Sequence, residues 1–140
     1  MTFREAKIED YSCVESILKD LFGENFILEK KSDFFKTFIL EDKEEIIGII
    51  QFWHLFDEAE ITILAVKKEF QRQGYGKILL EKTFEYLKTK NVRFVYIEVA
   101  VDNQPAKKLY EKLGFKFLAI RQKYYADGKD AIVMKKDLKE

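Results

Sequence analysis

Two stretches of this chain carry residues able to do chemistry. In 71-QRQGYGKILL-80 a polar tripeptide, two glycines one residue apart and a helix-like run follow one another. Gly74 and Gly76 allow close backbone approach, and the N–H groups of a first helical turn point outward without partners, so the segment suits an anion such as a pyrophosphate. A strand-to-helix turn that needs glycine only for tightness fits the same residues. Spacing excludes two familiar cradles. A P-loop ending in Gly76-Lys77 requires glycine at 71 and Ser or Thr at 78, where Gln71 and Ile78 stand. A dinucleotide fingerprint from Gly74 requires a small residue at 79, where Leu79 stands. The second stretch is 93-RFVYIEVAV-101, apolar on both alternating faces except for Glu98. A carboxylate there is costly unless a Lys or Arg pairs with it or the chemistry uses it.

These residues need elements to hold them. Residues 2 to 7 read as a short strand, and Ile8, Tyr11, Val14, Ile17, Leu18 and Leu21 then recur at helical spacing up to Gly23. A short helix is expected over 32 to 40, a turn over 41 to 45, and strands over 46 to 56 and 59 to 66. From Gly76 to Lys88, Leu80, Phe84 and Leu87 share a helical face. The segment 93 to 101 reads as a central strand covered on both sides. Asn103 caps a helix carrying Ala106, Leu109, Tyr110 and Leu113 on one stripe, with Gly114 as its stop. Strands near 115 to 125 and 130 to 137 close the chain around Asp127-Gly128, a hairpin signal. The order describes a mixed α/β domain.

With 140 residues the chain fits one domain. Its 25 basic and 25 acidic side chains cancel, which disfavours a strongly basic nucleic-acid binder. Cys13 is the only cysteine and His54 the only histidine, so no intrachain disulfide, no cysteine zinc cluster and no dedicated transition-metal site is expected. No long apolar segment marks a leader or a span, so a cytoplasmic protein with no membrane or direct nucleic-acid partner is expected, as monomer or homodimer.

Taken together, three ordered motifs resemble the GNAT N-acetyltransferases: the strand 63-ILAV-66, the loop 71-QRQGYG-76 and the segment 103-NQPAKKLYEKLGF-115. The resemblance implies the GNAT fold, a twisted mixed sheet of six or seven strands flanked by about four helices, and acetyl-CoA as cofactor. It assigns the pyrophosphate to Gln71 and to backbone N–H groups of Arg72, Gln73, Gly74, Tyr75, Gly76 and Lys77. Backbone at Leu64 and Val66 would hold the pantetheine arm, and Asn103 would touch the cofactor while capping its helix. By the same likeness Glu98 is the general base, Glu60 helps to hold a water for it, and Tyr110 is the general acid. A phenol with a pKa of about 10 is protonated at neutral pH, and Tyr110 is expected to give its proton readily to a thiolate whose conjugate acid sits near about 8.5.

The run 123-KYYADGKDAIVM-134 resembles a segment of protein N-terminal acetyltransferases, including the RimI-like ribosomal-protein-alanine enzymes, and 23-GENF-26 resembles their Glu-Asn-Tyr loop with Phe26 in place of Tyr. That likeness places Tyr124, Tyr125 and Glu24 along an acceptor-peptide groove. It implies acetylation of the N-terminal α-amine of a protein or peptide, a ribosomal protein foremost. The rival readings are a small-amine acetyltransferase acting on a polyamine or antibiotic, and a non-catalytic acetyl-CoA-binding subunit. Strand-end packing of the two tyrosines and a solvated loop acid at Glu24 are the structural alternatives. Trp53 and His54 read as packing residues.

Overall fold

The computed structural model describes residues 1–28, 33–125 and 127–140. Its strands are β1 (Thr2–Glu5), β2 (Phe35–Asp42), β3 (Glu45–Leu55), β4 (Glu58–Val66), β5 (Phe94–Ala100), β6 (Lys116–Arg121) and β7 (Ala131–Asp137), and its α-helices are α1 (Tyr11–Phe22), α2 (Tyr75–Thr89) and α3 (Gln104–Lys112). The seven strands form one sheet in the order β1-β2-β3-β4-β5-β7-β6. Only β4 and β5 run parallel, linked by the crossover through α2.

One expected element changes type. Ser32 lies outside the described residues, but 35 to 42 form strand β2 rather than a helix. Phe35, Phe38 and Ile39 fit helical spacing, yet β2 is paired on both edges, to β1 and β3, and Phe38, Ile39 and Leu40 are all buried, so both faces are apolar. At the N-terminus Ile8 stands in a 3-10 turn and is 87% exposed, so the apolar stripe of α1 starts later, with Val14, Ile17 and Leu18 buried.

Helices cover both faces. On one side α2 and α3 contribute Leu79, Leu80, Phe84, Leu87 and Tyr110 to a core with Val95, Ile97 and Val99 of β5. On the other, α1 packs Val14, Ile17 and Leu18 onto Ile39, Ile49, Ile63 and Ala65. Gly48 of β3 permits close seating of α2, since a Cβ there would stand 2.7 Å from Leu79 Cδ1.

The sheet opens at one place. β4 pairs with β5 only from Glu58↔Phe94 to Ile61↔Ile97. At that point the β3–β4 register shifts, Gln51 facing Ile63 and Phe52 facing Ile61, which leaves Thr62 as the extra residue of a bulge. A bulge bends its strand and shifts the alternation of side chains by one. Ala59 and Ile61 therefore belong to the α2/α3 core, whereas beyond Thr62 it is Leu64 and Val66 that turn to that side and Ile63 and Ala65 that face α1. The bent strand separates from β5 and leaves a slot through the sheet.

A polar relay supports the bulge. Thr62 Oγ1 donates to the Gln51 carbonyl (3.2 Å) and contacts Gln51 Oε1 (3.1 Å), and Gln51 Nε2 donates to Thr37 Oγ1 (3.3 Å). Gln51 and Thr37 are 2% and 3% exposed. Gln51→Leu keeps the volume but leaves the buried Thr37 hydroxyl without its partner, so urea denaturation should show a loss of about 1–3 kcal/mol.

Candidate active site

The cofactor residues expected from sequence lie along one cleft of about 540 Å³ on the α2/α3 side of the slot. Leu64, Val66, Gln71, Arg72, Gly74, Tyr75, Gly76, Lys77, Asn103 and Tyr110 line it, joined by Ala106 and Leu109 of the expected helical stripe and by Phe70 and Pro105. Gln73 is outside this lining. Its side-chain amide donates to the Glu69 carbonyl (3.3 Å), and only its backbone belongs to the loop's donor set.

That donor set is the main feature of the cleft. Arg72 has φ 63° and Gly74 φ 88°, two left-handed residues that curl successive peptide groups inward as an anion-binding nest. α2 then starts at Tyr75 with Gly74 as N-cap and no capping side chain, the first helical bond running from Ile78 N–H to the Gly74 carbonyl (3.2 Å). Among the described residues no protein acceptor takes the backbone N–H of Arg72, Gln73, Gly74, Tyr75, Gly76 or Lys77. Six consecutive donors at the positive end of a 15-residue helix fit a pyrophosphate.

Strand β4 supplies the adjoining edge. Lys67 N–H bonds to the Ile47 carbonyl of β3 (2.9 Å), so the Val66 carbonyl points away from β3, where it accepts from Gln71 Nε2 (2.9 Å). N–H and C=O of one extended residue share an edge, so the backbone groups of Leu64 and Val66 face the slot and can hold an extended amide arm. Asn103 Oδ1 accepts from Ala106 N–H (3.3 Å), confirming the expected helix cap at the cleft wall. A cleft of this size with fixed backbone donors suits a ligand that joins a pyrophosphate to an extended arm.

Tyr110 lies between the α2/α3 core and the cleft. Its side chain is 7% exposed, and among the described residues its hydroxyl has no hydrogen-bond partner while no buried side-chain polar atom goes unpartnered, so the hydroxyl opens on the cleft it lines. Burial, reinforced by Tyr125, pushes the phenol up to about 12. This corrects the expectation of ready proton transfer. Proton transfer from a phenol to a thiolate with a conjugate acid of about 8.5 is already uphill by about 2 kcal/mol at the ordinary phenol value of about 10, and burial raises the phenol further. Tyr110 is suited to donate a hydrogen bond to a developing thiolate, not to hand over its proton freely.

Glu60 and Glu98 project from the face of β4 and β5 opposite Ala59, Ile61, Ile97 and Val99, across the slot from the cleft. Glu60 Oε1 accepts from Trp53 Nε1 (3.0 Å), and Trp53 stacks on Phe34 with centroids 5.1 Å apart. Trp53 thus fixes a candidate site residue beyond the packing role expected of it. Glu98 is 11% exposed along its side chain and is paired with Arg121, the last residue of β6. Arg121 Cζ lies 4.2 Å from the Tyr124 ring centroid, and Tyr124 and Tyr125 are edge-to-face at 5.1 Å. Burial and then the Glu98 charge raise both tyrosine hydroxyls above their ordinary value, which places them beside that carboxylate.

Arg121 is the site residue that sequence reasoning missed. Its pairing depends on β7 lying between β5 and β6, and the one signal was the expected need of Glu98 for a cation. The loop carrying Tyr124 and Tyr125 is longer than the tight hairpin expected at Asp127-Gly128. It spans 122 to 130, of which Ala126 is outside the described residues, and is tied down by Asp130 Oδ1 accepting from Lys123 N–H (2.8 Å) and by the Val101 N–H bond to the Asp130 carbonyl (3.1 Å). Glu24 lies exposed in the turn after α1, and among the described residues no hydrogen bond or ion pair joins it to Glu98 or Arg121. Phe26 packs against Phe22 and the α1 core.

Comparison with known proteins agrees with this architecture. Residues 3–115 match the Acetyltransferase (GNAT) family, and the chain belongs to it. An N-alpha-acetyltransferase of Sulfurisphaera tokodaii is 31% identical over 149 residues, covering 94% of this chain and 89% of that protein. The ribosomal protein bS18-alanine N-acetyltransferase of Escherichia coli (strain K12) is 42% identical over 83 residues, 57% of this chain, and the match spans only 56% of that relative's length. In structure, the ribosomal-protein-S18-alanine N-acetyltransferase from Escherichia coli superposes with a TM-score of 0.85 at 29% identity, covering 98% of this chain and 93% of that one. Among the described residues no helix is long and apolar enough to cross a membrane.

The loop geometry yields one prediction and Tyr110 another. A Cβ at Gly74 meets no atom within 4 Å but forces an L residue to φ 88°, at a strain of roughly 1–2 kcal/mol. Gly74→Ala should fold and bind acetyl-CoA at least about fivefold more weakly by calorimetry, that factor corresponding to about 1 kcal/mol. For Tyr110, a folded-state value above the unfolded one means the folded chain holds the proton more tightly. The resulting stability is complete below about pH 10 and is lost as pH rises toward about 12, up to about 3 kcal/mol. Melting curves at pH 9 and 11 should show a larger loss for the unsubstituted protein than for Tyr110→Phe.

Proposed function

We propose that this protein is an enzyme transferring the acetyl group of acetyl-CoA to the N-terminal α-amine of a protein or peptide, with a ribosomal protein bearing an N-terminal alanine as the leading acceptor. The observation that carries this reading is the slot between β4 and β5. It connects six unpartnered backbone donors on one side of the sheet with two carboxylates and two tyrosines on the other. The names of the relatives, an N-alpha-acetyltransferase and two bS18-alanine N-acetyltransferases, point the same way.

When bound, acetyl-CoA supplies the acetyl group as a thioester and departs as a thiol. The loop from Gln71 to Lys77 holds its pyrophosphate, the edge of Leu64 and Val66 holds its amide arm, and Asn103 borders it. On the far face Glu98 takes the proton of the acceptor's ammonium, directly or through a water held by Glu60. An α-amine of pKa about 7.7–8.0 is roughly a tenth or more neutral at pH 7, whereas a lysine near about 10.4 is neutral at less than about a thousandth. A carboxylate is therefore a sufficient base for an N-terminus. Tyr110 keeps its proton and presents it to the leaving sulfur. Tyr124 and Tyr125 wall the acceptor side, with Glu24 proposed farther along the peptide. A binding-only subunit would need the loop but neither Glu98 nor Tyr110.

Thiol release from acetyl-CoA tests the reading with three sets of acceptors: peptides with free N-termini that differ in the first residue, lysine peptides with blocked N-termini, and polyamines. Turnover confined to free N-termini is the expected result. Turnover with polyamines alone, or with no amine, would reject it. Glu98→Gln should lower kcat by about 10²-fold or more while acetyl-CoA affinity stays within about twofold. Collapse of cofactor binding would instead make Glu98 a structural residue.

A further inference from the structure

Arg121 has no part in the steps above, yet it occupies their centre. Its guanidinium nitrogen Nη1 pairs with Oε1 of Glu98, and its side chain is 53% exposed where that of Glu98 is 11% exposed. The guanidinium lies over the Tyr124 ring at 4.2 Å, and the Glu60 charge acts on it from β4. Two carboxylates and an aromatic face form a seat for an organic cation. The acceptor must bring its α-ammonium to that same carboxylate to lose a proton, as the N-terminal acetylation reading on which this inference rests requires. Two cations crowding one half-buried carboxylate repel each other, and the one with a long, mostly solvated stem is the one free to leave. The recorded contact is a single one rather than a two-pronged clamp, so its release breaks one charged hydrogen bond.

We propose that Arg121 is a resident competitor for the acceptor. Its guanidinium holds the place of the incoming ammonium at Glu98 and swings into solvent when the acceptor binds, so that it sets the affinity threshold for amines. The pairing also balances the Glu98 charge while the slot is without an acceptor. Arg121 is a specificity-setting residue and not a proton carrier.

The test compares Arg121→Gln, which removes the charge and keeps a hydrogen-bond donor, with Arg121→Lys, which keeps the charge. Arg121→Met serves as a second neutral variant. With a peptide that the unsubstituted protein acetylates, both neutral variants should lower KM at least fivefold with the change confined mainly to KM, and Arg121→Lys should stay near the unsubstituted value. A fall in kcat with KM unchanged would show that Arg121 positions Glu98 for catalysis, and would overturn the proposal. A second measurement needs no turnover. Ethylammonium is titrated into coenzyme A-loaded protein carrying ¹³C-labelled glutamate, and the Glu98 carboxylate resonance is followed. Binding at least fivefold tighter in Arg121→Gln supports the competitor role, and equal affinity in the two proteins rejects it. If free N-termini are not acetylated at all, the proposed function fails, while the ethylammonium comparison still decides the role of Arg121.

Discussion

The separation of β4 from β5 is the constraint on which the rest of the structure depends. A parallel pair that ends after four residues leaves backbone donors and acceptors along both released edges, and unpaired backbone inside a fold is costly. The bulge at Thr62 makes the separation geometrically necessary, because it bends β4 and reverses which side chains face which layer. The relay through Gln51 to Thr37 satisfies the polar groups behind the bulge, and the Gln71 amide takes the Val66 carbonyl at the edge. What remains open between the strands is then a fixed set of backbone groups in a slot wide enough to be occupied.

The slot divides the work between two kinds of group. On the α2/α3 side the donors are backbone N–H groups, whose direction is set by two left-handed residues and a helix start and hardly by side-chain identity. Such donors do not titrate, so the cradle is insensitive to pH. On the opposite side the groups are side chains that gain or lose protons, each fixed by a neighbour: Glu60 by Trp53, Glu98 by Arg121, and Tyr124 and Tyr125 by each other and the anchored loop. The sheet itself is the partition, and Tyr110, rooted in the α3 core, lines the cleft while it feels Tyr125 electrostatically.

How much of this was legible in the sequence follows from how local each feature is. The glycine loop, the Asn103 cap and the apolar stripe of α2 are set within a few residues, and each stands where spacing put it. β2 was not legible as a strand, because Phe35, Phe38 and Ile39 match helical spacing and a strand buried on both faces loses its alternation. Arg121 and Trp53 escaped for a different reason. Their partners lie 23 and 7 residues away and meet them only through strand register, Arg121 across β7 and Trp53 through the β3–β4 pairing opposite Glu60. The tight hairpin expected at Asp127-Gly128 gave way to a longer loop because Asp130 and Lys129 bind back toward the end of β5, where Asp102 holds the Lys129 ammonium at 2.6 Å.

The raised phenol of Tyr110 changes how acid and base must cooperate. Even near about 10 a phenol is a weaker acid than a thiol near about 8.5, and burial widens the gap. In the proposed reaction the raised phenol would therefore contribute a hydrogen bond to the thiolate and not a phenolate in an apolar core. In the proposed reaction the nitrogen gives a first proton to Glu98, turns cationic on attack and then loses a second, and that second proton or one from solvent neutralises the sulfur. Glu98 lies on one side of the slot and the solvent-open cleft on the other. On the proposed reading the ammonium must reach Glu98 first, and the Arg121 ion pair stands in its way.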